Sequence, residues 1–253
     1  MTGNIIALAL NAGICIVLPL IIFGILYIRN KTGRKDFVLF FLTGAVIYIG
    51  MQWGAKEHGL NLLVNRTNLA SFMNAHYIPY ILLVALGGAI LNVVPEGLVL
   101  RFVLKDKISF KKVIALGLGY GMAESTRLVG YRNLKMIIQC IKDSDIDLET
   151  STMELFLSGY ERILIMLIDI TILVIFAYFI NQNASVKGSI IAIFCQTMLA
   201  FLPGFFIAFT LKNYYEVYDR SMALILIYVV LTTAGITSGV VLNSLKYSFS
   251  QAD

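Results

Sequence analysis

The sequence predicts an all-α protein: a polytopic transmembrane helical bundle of about seven spans, amino terminus outside and carboxyl terminus inside. Three observations carry that expectation. Of the 253 residues, 58% are hydrophobic and only 14% charged, with a mean hydropathy of +0.82. A soluble domain holds roughly 25% charged and about 45–50% apolar residues. The apolar residues form continuous runs long enough to cross hydrocarbon, which takes about 20 residues. Lysine and arginine stand between those runs and are shared unevenly among alternate loops. A chain this apolar has too little polar surface to be a soluble enzyme, a disordered segment or a nucleic-acid binder, despite its net charge of +5.

The first run, Asn4–Ile28, has no basic segment ahead of it and exceeds the apolar core of a signal peptide, about 7–15 residues. It reads as a retained span. Phe37–Ala55, Tyr77–Leu100, Val113–Gly130, Arg162–Ile180, Gly188–Leu211 and Ser221–Asn243 follow. The fourth is short and carries Glu124 and Arg127. The runs show no alternation of apolar and polar residues, which excludes a β-barrel. Two connections exceed a turn. Lys56–His76 places Leu60, Leu62, Leu63 and Leu69 at spacings that suit a helix along the membrane interface. Tyr131–Glu161 reads as an outer loop with an acidic middle, closed by Thr150, Ser151 and Thr152 as caps with Glu154 behind them. No repeat or linker divides the chain, so residues 1–253 read as one integral-membrane domain.

Charge sets the orientation. The first and third loops, with Lys187 and Lys246, hold eleven basic residues, against seven on the opposite side. The positive-inside rule then puts the carboxyl terminus in the cytoplasm.

Cys15 and Cys195 lie in apolar runs and Cys140 stands alone, so no thiolate metal site is spaced out. His58 and His76 sit at loop positions without HxxxH or HExxH spacing. No site of several histidines exists in this chain, and no metal ligands are expected.

An ionisable residue in a span costs about 2.5–3.5 kcal/mol at the helix centre and is a functional candidate by default. Glu124 and Arg127 are three apart, with Tyr120 one turn earlier. They read either as a polar site or as an internal ion pair. Asn92 and Glu96 flank Pro95, which frees the carbonyl of Leu91; Glu96, near a helix end, is expected to snorkel. Asp169, deep in ILIMLIDITILV, needs an arginine partner, a cation or protonation by desolvation, with Arg162 or Arg127 placed to serve as the partner. Gln196 is a weaker candidate of the same kind. Tyr120, Glu124, Arg127, Asp169, Gln196 and Asn92 are therefore expected in a buried polar cluster. The run Gly117-Leu118-Gly119-Tyr120-Gly121 mimics a phosphate loop, but within a span it reads as a close helix contact.

The segments GLGYGMAE (Gly117–Glu124) and GYERILIMLID (Gly159–Asp169) resemble the YhfC family of intramembrane metalloproteases, relatives of the CAAX-processing and bacteriocin-immunity proteases. The resemblance runs in order and spacing from about Gln52 to Gln196. It implies a protease-like bundle, with Glu124, Glu161 and Asp169 in the catalytic places if the site is active. The family's histidine positions hold Tyr120, Asp169 and Gln196 here, and its paired glutamates fall near Asn92–Glu96, where no pair occurs. Tyrosine and glutamine are poor ligands for a water-activating metal. The resemblance therefore implies a scaffold without its metal centre: no cofactor, with zinc only under the peptidase alternative. The expected role is binding within the cell membrane, to a membrane peptide, a lipid or another membrane protein. An active peptidase is the alternative and a transporter subunit the third, the latter without the paired broken helices such proteins carry.

Overall fold

The computed structural model describes residues 2–30, 33–51, 69–103, 108–142, 152–213 and 220–250, and no strand occurs among the described residues. The helices are α1 (Thr2–Arg29), α2 (Arg34–Ile49), α3 (Leu69–Ala75), α4 (Tyr77–Leu98), α5 (Phe110–Ser125), α6 (Tyr131–Lys142), α7 (Thr152–Asn181), α8 (Ser185–Asn213) and α9 (Arg220–Ser250). A π-helical turn, Val99–Val103, extends α4, and another, Thr126–Gly130, joins α5 to α6.

Five helical stretches are long and apolar enough to cross a membrane: Ile5–Arg29, Tyr77–Phe102, Thr152–Asn181, Ser185–Phe209 and Met222–Phe249. The second and fourth expected runs are also helical, but α2 and α5 have 16 residues each. At 1.5 Å per residue that is about 24 Å, short of the ~30 Å hydrocarbon core. Each continues into π-helical geometry, at residues 50–51 and at Thr126–Gly130.

Helix α7 is the centre of the bundle, packed against α1, α5, α8 and α9. The glycine run of α5 explains how a third layer fits. Gly117 and Gly121 face Ile170 and Met166 of α7. Gly119 faces the other way, where a Cβ atom would stand 1.8 Å from the Phe41 carbonyl oxygen of α2. Gly44 of α2 is its counterpart, 2.0 Å from the Leu116 carbonyl oxygen by the same construction. The run is a two-sided packing surface, since only hydrogen side chains let two backbones come this close.

Several breaks in regular helix are closed by side chains. Pro19 has no N–H to give the Cys15 carbonyl four residues earlier. The Ser125 hydroxyl donates to that carbonyl instead, at 2.9 Å. Helix α7 ends with Asn183 in the left-handed region (φ 58°) and the Ala184 N–H donating to the Phe179 carbonyl. This Schellman-type stop is what an asparagine tolerates. The chain returns as α8 after three residues, forming a tight helical hairpin.

One end of the bundle gathers the close of α1 and α7 with the start of α2 and α5. Lys112 pairs with Asp36 at 3.0 Å, and Lys111 donates to Asn30 at 3.4 Å. The Asn181 amide holds both sides of the Ile108 peptide, at 2.9 and 3.2 Å. Phe249 of α9 packs on Phe110 and Tyr178 at the same end. At the opposite end Asn11 of α1 donates to the Leu155 carbonyl and to Ser158 Oγ of α7.

Two expectations are corrected. The described parts of Tyr131–Glu161 are helical: Tyr131–Lys142 is α6, and α7 begins at Thr152, ten residues before Arg162. Helix α6 buries Asn133 and Cys140 while exposing Tyr131, Leu134, Ile138 and Ile141. Helical spacing puts those four on one face, apolar outward. Hydropathy missed it because its lysines and arginine dilute the average. Glu96 does not snorkel, being only 4% exposed. The π turn continues the helix past it, so it is not at a helix end. Of Lys56–His76 only the helix Leu69–Ala75 and His76 are described; Leu60, Leu62, Leu63 and His58, like Thr150 and Ser151, lie outside the described residues.

Candidate functional site

Between α4, α7 and α8 lies a cavity of about 390 Å³, within the range of small-molecule pockets. Five of the polar residues singled out from sequence line it: Asn92, Glu124, Glu161, Asp169 and Gln196. They come from four helices separated by up to about a hundred residues of chain. Along α4 the wall runs from Tyr80 to Asn92, about 18 Å at 1.5 Å per residue. Its space comes from small residues: Ala85, Gly88 and Ala89 of α4 face Ala200 and Gly204 of α8.

Helix α7 supplies the polar stripe. Glu161, Arg162, Ile165 and Asp169 all line the cavity, and positions four apart share a helix face. Because α7 starts at Thr152, Glu161 and Arg162 lie well inside it. Arg162 Nη2 pairs with Glu161 Oε1 at 2.6 Å, with side-chain exposures of 17% and 29%. Arg162 also acts electrostatically on Asp169, as do Glu124 and Glu96. Of the two arginines proposed for Asp169, Arg162 is the one on the wall.

Arg127 and Tyr120 are not among the lining residues. The Arg127 guanidinium is hydrogen-bonded to Tyr48 of α2. Tyr120, 3% exposed, meets the Tyr48 ring edge-on at 5.3 Å. Arg127 lies in the π-helical turn that begins at Thr126, and Glu124 as well as Arg127 acts electrostatically on Tyr48. These residues form a polar-aromatic patch where α2 meets α5, adjoining the cavity wall at Glu124.

Hydrogen bonding inside the cavity is incomplete. Gln196 is 5% exposed, and its Oε1 has no partner among the described residues. The Nε of Arg162 is likewise buried without one. Buried polar atoms are nearly always satisfied, by protein, ordered water or a ligand.

The zinc centre implied by the family resemblance does not fit these residues. The wall offers carboxylates and amides but no imidazole. Among the described residues no three His, Cys, Asp or Glu side chains converge as a metal-ligand group. Sequence reasoning also missed the small residues of α4 that open the cavity. The alanine–glycine spacing of Ala85, Gly88 and Ala89 was the available signal. No protein-family model, curated protein or solved structure matches this chain.

Proposed function

We propose that this chain is a multi-pass protein of the cell membrane that binds a membrane-embedded ligand or partner through the cavity between α4, α7 and α8, without catalysis. The observation that carries this reading is the convergence of Asn92, Glu124, Glu161, Arg162, Asp169 and Gln196 on one cavity. Each is costly within apolar helices, and together they make a recognition surface. The scaffold is YhfC-like, with its hydrolytic centre lost.

A second reading, an active peptidase, draws on one feature: Glu124, Glu161 and Asp169 share the cavity wall. Purification from native membranes separates the two. The binding reading expects a lipid, peptide or partner chain retained by the full-length protein, and substoichiometric zinc. Turnover of membrane peptides, abolished by Glu124→Gln, would overturn it in favour of the peptidase.

The proposed topology has seven spans, with the amino terminus outside and the carboxyl terminus inside. Support comes from the basic residues of the first, third and fifth connections and the tail, whose elements gather at one end of the bundle. Reporter fusions after Lys35 and after Lys112 should both read cytoplasmic. An external reading at either position would refute the map.

A further inference from the structure

A second cavity, of about 300 Å³, lies between α7, α8 and α9. Its walls include Ile168, Ile172, Met198, Phe206, Leu231 and Val241. The hydroxyls of Thr171 and Thr237 line it too, but each donates to its own helix, to Leu167 and Thr233 carbonyls at 2.8 Å. Ser238 adds one further hydroxyl, but the rest of the wall is hydrocarbon, and an apolar cavity favours hydrocarbon over water. Leu199 and Pro203 of α8 line both this cavity and the polar one. Ile168 and Asp169, adjacent on α7, line one cavity each. The two spaces therefore abut along the α7–α8 seam, acid on the α4 side and hydrocarbon on the α9 side.

The polar half has a defined chemical preference. Its wall carries Glu124, Glu161 and Asp169 against the single guanidinium of Arg162. Adding the nearest outer groups, Glu96 and Arg127, still leaves four acids to two arginines. The independent observation is Gln196, whose buried Oε1 on this wall lacks a donor. Carboxylates and an amide oxygen accept hydrogen bonds, so a donor fits this wall, and a cationic donor also offsets acids that outnumber the arginines. A protonated amine has three donors and no acceptor. The buried Arg162 Nε calls for one acceptor atom beside that amine, such as a hydroxyl or carbonyl.

We propose that the two cavities are one site for an amphiphile, with a protonated amine among Asp169, Glu124 and Gln196 and a hydrocarbon tail between α7, α8 and α9. This rests on the binding reading above and names its ligand class. Substituents at the head set selectivity, because burying an anion there would set it against the surplus carboxylates. The tail sets residence through contact with the apolar walls, past Leu199.

The test uses the full chain in detergent with dodecylamine, dodecanoate and propylamine as probes, read by native mass spectrometry and thermal midpoint. Dodecylamine should bind at one per chain and raise the midpoint saturably, with dodecanoate and propylamine at least tenfold weaker. Asp169→Asn should weaken dodecylamine at least tenfold; Gln196→Leu, which removes the orphan acceptor without touching charge, should weaken it in the same direction. Ala234→Phe, filling the apolar cavity, should weaken dodecylamine at least tenfold and leave propylamine unchanged. Equal binding of dodecanoate would overturn the amine assignment. Dodecylamine binding unaffected by Ala234→Phe would overturn the two-cavity site while leaving a ligand-binding polar cavity. If no probe binds yet a native partner chain co-purifies, the amphiphile inference fails and the binding function stands. If nothing binds and nothing co-purifies, both fail.

Discussion

Gly119→Ala should leave little stable protein, and Gly44→Ala should behave almost as badly. The added Cβ of residue 119 would meet the Phe41 carbonyl oxygen at 1.8 Å, and that of residue 44 the Leu116 carbonyl oxygen at 2.0 Å. Real Cβ atoms essentially never come within 3.0 Å of such an atom, so α2 and α5 must part by roughly 1 Å. The obstacle is backbone, which has no rotamer with which to yield. Overpacking typically costs about 1–3 kcal/mol and sometimes more; a backbone clash at this seam belongs at the upper end or beyond. Separation would also disturb the edge contact of Tyr48 with Tyr120. Gly13→Ala provides the comparison, because nothing lies within 4 Å of its Cβ position. In a helix interior that change should be neutral or favourable by up to about 1 kcal/mol. Thermal stability in detergent reads all three. Gly119→Ala as stable as Gly13→Ala would refute the close α2–α5 contact.

The second large effect is expected at Arg162. Its guanidinium pairs with Glu161 at 2.6 Å and shares the cavity wall with Asp169 and Glu124. Arg162→Met keeps much of the side-chain volume but leaves the carboxylates without the wall's cation. Breaking a buried pair by removing one partner costs about 3–5 kcal/mol, whereas removing the whole charged set is often near neutral. The partial exposure of both side chains, 17% and 29%, puts the expected loss at the low end, about 3 kcal/mol. Arg162→Met combined with Glu161→Gln and Asp169→Asn should recover most of that loss, since the orphaned charges go with their partner. A triple variant less stable than Arg162→Met alone would show that Arg162 is held by packing rather than by charge. Arg127→Met should disturb the α2–α5 patch through Tyr48.

Hydropathy alone was enough for the helical class and for the long apolar stretches, because the cost of exposing backbone or charge to hydrocarbon is a local property of each run. Glycine spacing was enough to read Gly117–Gly121 as packing. The same cost singled out Asn92, Glu124, Asp169 and Gln196 before their neighbours were known. Their convergence was not local. That Arg162 shares a wall with Asp169 depended on where α7 begins, at Thr152, and on how it packs against α8. The amphipathic helix Tyr131–Lys142 was hidden because its basic residues mask an apolar face in any average along the chain. The Ser125 hydroxyl that completes the Cys15 carbonyl stands 110 residues away from it. Two cavities that abut along α8 have no signature along the chain, since empty space belongs to the packing of several helices and to no residue in particular. Burial cost is written residue by residue; the partner that offsets it is chosen by the crossing of helices.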